Sequence, residues 1–160
     1  MPLEVTASTY VVNSTADLPD ADQGDGLCLA LNGQCTLRAA IMQANFVAGP
    51  DTIILPAGLY QLTRLGDDDV AVLADLDITD DLTLQGAGSS LTIVDGNGAV
   101  NGDRVFQILA AAKNVSLSGL TIRNGKKTNT FDQGGGLYWD GGGSRRLGRE
   151  LRRLRRIRHA

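Results

Sequence analysis

The chain has 160 residues, 20 of them Gly and only seven aromatic, which is the size of one domain with many turns and a lightly packed aliphatic core. Its net charge of −3 is a cancellation: residues 1–143 carry seven Lys+Arg against 17 Asp+Glu, a balance of −10, while residues 144–160 carry eight Arg and one Glu, a balance of +7. The acidic body excludes nucleic-acid binding by its own field, and no run of 18 apolar residues is present to form a transmembrane helix.

Met1-Pro2-Leu3-Glu4-Val5 has no basic stretch followed by an apolar one, so no signal peptide is visible. Residues 1–16 read as an extended lead-in with one short strand at Tyr10-Val11-Val12, ended by Asn13-Ser14-Thr15. A loop over residues 17–34 follows. Asp20, Asp22 and Asp25 are spaced like the start of a Ca²⁺ loop, and their oxygens suit a hard cation. Gly24 is misplaced for such a loop, and Leu31 stands where a twelfth-position Glu would be. The alternative is a solvated loop whose Asp side chains accept from local amides.

Cys28 and Cys35 flank Asn32-Gly33, a turn-forming pair that brings two sulfurs into disulfide range. Free thiols are the alternative, and two thiols alone make an incomplete zinc site. A disulfide would imply export, and the leader would then lie in an upstream portion. Thr36 is a fitting N-cap for a helix in which Leu37, Ala40, Ile41, Ala44 and Ala48 form one apolar stripe. Arg38, Met42 and Asn45 fall on another side, and Gly49-Pro50 stops the helix.

After Pro50 the period changes. Three- and four-residue β-rich pieces recur from Thr52-Ile53-Ile54-Leu55 to Leu120-Thr121-Ile122, punctuated by Gly, Asp and Asn. Leu91-Thr92-Ile93-Val94-Asp95-Gly96 returns as Leu120-Thr121-Ile122-Arg123-Asn124-Gly125, 29 residues later, and Leu82-Thr83-Leu84 returns as Val115-Ser116-Leu117, 33 residues later. Ile53 and Leu76, 23 apart, look like a further repeat. A variable period with short strands predicts a solenoid, with Asp67-Asp68-Asp69 as an insertion. A sandwich is the rival, but it prefers longer strands and hairpins.

The stretch from Val12-Asn13-Ser14-Thr15-Ala16-Asp17 through Gly24-Asp25-Gly26-Leu27-Cys28 to Cys35-Thr36-Leu37-Arg38-Ala39-Ala40-Ile41 resembles a CSLREA-type domain, as does Asp51-Thr52-Ile53-Ile54-Leu55-Pro56. The resemblance covers roughly residues 10–143 and is specific over 12–63. Thr36 and Ala39 depart from the Ser and Glu of the motif. Such domains stand at the N-terminal end of secreted bacterial, pectate-lyase-like β-helix proteins. The resemblance therefore implies an all-β, right-handed parallel β-helix of about three coils, capped at its N-terminal end by an amphipathic helix. Leu37, Ala40, Ile41 and Ala44 would lie on the first coil. The expected organisation is strand, loop and capping helix over 1–50, coils over 51–143, and a separate tail over 144–160.

Relatives of that fold include polysaccharide lyases and hydrolases, which would make Asp95, Asp103, Arg104, Arg123, Lys126 and Lys127 the candidates for chemistry. Asp and Asn beside Gly are, however, what turns require, and about three coils make a short groove. The reading is therefore a non-catalytic exported module of a larger cell-surface or secreted protein, with an adhesion or scaffold role and a glycan or cell-surface protein as partner. A polysaccharide-cleaving fragment is the alternative, as is a tail that binds anionic membrane or nucleic acid. No cofactor other than Ca²⁺ is expected. In the tail, Leu147, Leu151, Leu154 and Ile157 recur at helical spacing among Arg, so it reads as helical or disordered. It also reads as foreign to the fold, the out-of-frame or prematurely ended part of a longer gene. Asn13 and Asn114 open Asn-x-Ser/Thr sequences and would carry glycans only in a glycosylating host.

Overall fold

A computed structural model describes residues 6–109, 111–112, 114–127 and 134–140. The Arg-rich tail of residues 144–160 lies outside the described residues, and so does the start of the chain at Met1–Val5. In chain order the elements are β1 (Thr9–Val11), α1 (Leu37–Phe46), β2 (Asp51–Leu55), β3 (Gly58–Gln61), β4 (Leu76–Ile78), β5 (Leu82–Gly86), β6 (Thr92–Asp95), α2 (Gly98–Asn101), β7 (Phe106–Ile108), β8 (Val115–Ser118), β9 (Thr121–Arg123) and β10 (Leu137–Trp139).

Among the described residues every strand pair is parallel. The strands form one four-stranded sheet, β1-β2-β5-β8, and two three-stranded sheets, β3-β6-β9 and β4-β7-β10. From β2 onward the chain enters the three sheets in rotation, so the partner of each strand lies in the next pass. Pairing stacks like on like. Tyr10, Ile53, Leu84 and Leu117 make one buried column, and Tyr60, Val94 and Ile122 make a second. In the third sheet Ile78 and Ile108 align with Trp139. The alternation that buries Ile53 and Leu55 leaves Thr52 and Ile54 partly exposed, as a pleat requires. One core cluster runs from Tyr10 to Ile122.

The expected all-β, right-handed parallel β-helix of about three coils is corrected. The strands fall into three separate small sheets with no single β-helix evident, and about 11 % of the described residues are helix and 32 % strand. The reason lies in the connections. Pro56-Ala57, the Gly88 turn at φ 149° and Asn97 at φ 49° break the extended backbone between consecutive strands, so the three ladders do not merge. The parallel ladders likewise set aside the sandwich, which would need antiparallel pairs.

Two registers also differ from the expected repeat. Val94, not Ile93, lies opposite Ile122, a spacing of 28 rather than 29. The buried residue decides: Val94 is fully buried and Ile93 is half-buried, and a one-residue slip would exchange their faces. Ile53 pairs with Leu84, and Leu76 with Phe106, so the spacing from Ile53 to Leu76 links two different sheets. The 33-residue spacing of Leu82 and Val115 is the true register of that pair.

Helix α1 packs on β2 and β4. Thr36 is its N-cap, with the hydroxyl accepting from the Ala39 amide at 3.0 Å. Leu37, Ala40, Ile41 and Ala44 join the core. The narrow stripe is corrected, since Arg38, Ala39, Met42 and Gln43 are buried as well. The Arg38 guanidinium and Gln43 Nε2 on the outer face find acceptors because neighbouring loops supply carbonyls and carboxylates. Asn45 does the same for β4, donating to the Asp77 carbonyl at 2.7 Å and accepting from the Thr79 amide at 2.9 Å. Two sheet neighbours touch backbone to backbone: a Cβ on Gly86 would lie 2.2 Å from the Gly119 carbonyl oxygen, and one on Gly125 would lie 1.8 Å from that of Gly135.

Candidate functional site

Three groups of ionisable side chains stand out; the first opens on a surface cleft, and the second and third are largely buried. The first lines a cleft of about 440 Å³ between the ends of β3, β6 and β9, walled by Gln61, Asp95, Asn97, Asn124 and Lys126 with the Gly98 and Gly125 backbone. Its carboxylate is fully engaged. Asp95 Oδ1 accepts from the Asn97 amide at 2.9 Å, and Oδ2 accepts from Arg123 Nε at 2.8 Å and Asn124 Nδ2 at 2.9 Å. Burial alone would raise its pKa, but these donors and the Arg123 charge outweigh it and hold the group below the usual carboxylate value. The observed register creates this contact by placing Arg123 opposite Asp95.

The second group surrounds Arg104, which is buried between three elements. Its Nε lies 3.5 Å from Asp75 Oδ2 and 3.7 Å from Asp103 Oδ1, and its guanidinium sits 4.7 Å from the Tyr138 ring centre. Lys127 Nζ reaches Asp103 Oδ1 at 2.9 Å, and the Arg104 amide donates to the same oxygen at 2.8 Å. Desolvation, reinforced by the Asp103 charge and opposed by Arg104 and Lys127, pushes Asp75 up to about 7. Desolvation, reinforced by Asp75, pushes Asp77 up to about 8 although the Ala71 amide donates to it. For Lys127, desolvation acts downward, and the Asp103 hydrogen bond overcomes it to raise the pKa.

The third group holds the N-terminal loop to α1. Cys28 and Cys35 form a disulfide with Cα atoms 5.0 Å apart, and among the described residues no cysteine is free. Arg38 is buried and uses its whole guanidinium. Nε and Nη2 grip the two Asp17 oxygens, and Nη1 and Nη2 donate to the carbonyls of Ala71, Ala74 and Asp75. Asp17 Oδ2 in turn accepts from the Thr63 and Arg64 amides at 2.6 and 3.1 Å. Ala71 and Ala74 adopt φ of 61° and 49°, which aims their carbonyls at the guanidinium.

The expected cage of Asp20, Asp22 and Asp25 carboxylates is corrected. Asp22 Oδ1 turns back to the Gly24 amide at 3.2 Å, Asp20 Oδ1 accepts from Leu29 at 2.9 Å, and Asp25 Oδ1 accepts from Leu27 at 2.8 Å. Among the described residues no three His, Cys, Asp or Glu side chains gather as a metal-binding group. Desolvation is the largest influence on Asp20 and raises its pKa, with Asp25 adding to the rise. Asp20 and Asp25 meet instead at the Gln43 amide, at 2.9 and 3.1 Å. Asn114 Nδ2, at one of the two Asn-x-Ser/Thr sequences, is engaged by Asp81 at 2.7 Å.

The structure thus brings Asp95 together with Arg123 near Lys126, and Asp103 together with Arg104 and Lys127. Sequence reasoning missed Asp17, Gln43, Asp75 and Asp77. The available signal was two polar side chains, Arg38 and Gln43, on a helix with no acidic residue in its first turn and no basic one in its last. Among the described residues no helix is long and apolar enough to cross a membrane. No family model, no curated protein and no solved structure matches the chain.

Proposed function

We propose that this chain is a non-catalytic exported module with an adhesion or scaffold role, part of a larger cell-surface or secreted protein. The observation that carries the reading is the state of Asp95 and Asp103, the buried carboxylates of the first two ionisable groups. Acid–base cleavage of a glycan needs a carboxylate free to take a proton and a second one to give it. Asp95 is held as an anion by three donors, and Asp103 is shared by Lys127 and the Arg104 amide. Both groups secure turns between strands. The Cys28–Cys35 disulfide supports export. The CSLREA-type resemblance of residues 12–63 supports membership in a larger secreted protein.

The test is incubation of the folded chain with a panel of acidic and neutral polysaccharides, reading reducing ends and unsaturated products. No turnover is expected, together with retention of the chain on a glycan or on a cell surface. Turnover abolished by Asp95→Ala or Asp103→Ala, with the fold intact by circular dichroism, would overturn the reading. Export is tested by alkylating the protein in its native source before reduction, where Cys28 and Cys35 are expected to stay unlabelled.

A further inference from the structure

Asn-Gly occurs four times among the described residues, at 32–33, 97–98, 101–102 and 124–125. Glycine has no side chain to shield its amide nitrogen, so in this pair the nitrogen can reach the carboxamide carbon of the preceding Asn. The fold treats the four pairs differently.

Three of them are locked. The Gly98 amide donates to the Asn124 carbonyl at 2.7 Å, and a Cβ on Gly98 would lie 2.5 Å from the same oxygen. Asn101 spends Nδ2 on the Leu62 and Gly96 carbonyls at 2.8 and 3.2 Å, and its Oδ1 is buried with no donor to stabilise charge on it. Asn124 Nδ2 donates to the Asp95 carboxylate at 2.9 Å, whose charge opposes negative charge building on the adjacent carboxamide oxygen. Gly125 is pressed against the Gly135 backbone.

Asn32 is the exception. Asn32, Gly33 and Gln34 are all exposed, in the loop that Cys28 and Cys35 close. A Cβ on Gly33 would meet nothing within 4 Å, so the backbone has room to move. The Gln34 amide donates to Asn32 Oδ1 at 3.1 Å. That donor polarises the carboxamide and stabilises the oxyanion that forms when Asn32 Cγ becomes tetrahedral. One turn bond, from the Gly33 amide to the Ala30 carbonyl at 2.8 Å, has to open before the nitrogen is free.

We propose that Asn32 is a site of spontaneous deamidation, and that the folded chain confines the reaction to it. A base from solvent removes the Gly33 amide proton, and the nitrogen bonds to Asn32 Cγ. The Cγ–Nδ2 bond breaks and ammonia leaves, closing a succinimide ring. Water then adds to either ring carbonyl and leaves an aspartyl or an isoaspartyl residue at position 32. One water is consumed and one ammonia released, with no oxidant or reductant. The product carries a carboxylate in the loop and ends the donation from Asn32 Nδ2 to Gln34 Oε1. The isoaspartyl form also lengthens the backbone inside the disulfide-closed loop. The change is one-way, so it records the age of each molecule.

In the experiment the full chain with its disulfide intact is held for days in mildly alkaline buffer, beside a sample reduced and unfolded in urea. Peptide mass spectrometry reads a gain of about 1 Da at each deamidated Asn. The gain separates the reaction from isomerisation at Asp25-Gly26, which leaves the mass unchanged. In the folded chain Asn32 is expected to convert at least about tenfold faster than Asn97, Asn101 or Asn124, which must wait for local unfolding. In urea the four rates are expected to converge to within about threefold. Asn32→Asp should abolish the fast phase of ammonia release from the folded chain. Conversion of any of the other three at a comparable rate in the folded chain would overturn the proposal. So would the same ranking in urea, which would trace it to local sequence and not to the fold.

Discussion

Replacing Arg38 by Met removes the side chain that joins three distant parts of the chain. The Arg38 and Asp17 side chains are 0 % and 3 % exposed, so water does not substitute for what is lost. Met retains most of the stem packing, which isolates the polar loss. Asp17 keeps only the Thr63 amide and hydroxyl and the Arg64 amide, and the carbonyls of Ala71, Ala74 and Asp75 lose the guanidinium that donates to them. Removing one partner of a buried ion pair costs about 3–5 kcal/mol. Against a total stability of about 5–15 kcal/mol, that is a fifth or more of the folding free energy. Urea unfolding at pH 7, followed by circular dichroism, should show the midpoint falling with an unchanged slope. Asp17→Asn should cost less than Arg38→Met because its amide oxygen still accepts from Thr63 and Arg64. The double variant should lose at least about 1 kcal/mol less than the sum of the singles. Amide exchange should accelerate over residues 64–75, where the positive φ of Ala71 and Ala74 loses its compensation. An Arg38→Met protein within about 1 kcal/mol of wild type, or strict additivity with Asp17→Asn, would refute the reasoning.

Removing the disulfide with Cys28→Ala and Cys35→Ala should cost about 2.4 kcal/mol by loop entropy at a separation of seven residues, and reductant should shift the wild-type urea midpoint equally. Asp75 and Asp77 titrate near 7 and 8 when folded but near 3.8 when unfolded, so the folded state holds extra protons between those values. Their stabilising contribution is complete below about pH 4 and is lost as pH rises through 7 and 8. Asp77→Asn should therefore flatten the decline in stability between pH 5 and 8, and an unchanged slope in urea titrations at several pH values would count against the assignment. Gly86→Ala drives a methyl into the Gly119 carbonyl and should cost about 2 kcal/mol or more, whereas Gly24→Ala, whose nearest neighbour is Asp22 Oδ1 at 3.6 Å, should stay within about 0.5 kcal/mol. Thermal unfolding of the two variants side by side decides it.

Local features were legible in the sequence. Thr36 caps its helix, Cys28 meets Cys35 across the Asn32-Gly33 turn, and the apolar–Thr–apolar pieces are strands, because each depends on residues within a few positions. Pairing across passes was less legible. The matching words at Leu91 and Leu120 suggested a register one residue off, since identity of letters outweighed the burial of Val94, which only the fold reveals. The closed β-helix expected from resemblance gave way to three separate sheets, because a string of short strands does not state whether its ladders join. At the sites, Asp-rich spacing pointed to a loop whose carboxylates are taken by local amides and by Gln43. The Asp22 carboxylate is taken by Gly24, and Gln43 comes from a helix that hydrophobic periodicity treated only as a stripe.

Strand partners in this molecule lie far apart along the chain, from 28 residues (Val94 to Ile122) to 43 (Tyr10 to Ile53). No hairpin among the described strands offers a cheap first contact, so loop-closure entropy must be met before any ladder forms. The local exceptions are α1 and the loop that Cys28 and Cys35 close just before it. Folding should therefore begin at residues 28–46 and add strands outward from β2, slowly for a chain of this length. A chain emerging from a ribosome presents that segment before β2 and the strands that follow, and each later pass finds a finished edge waiting.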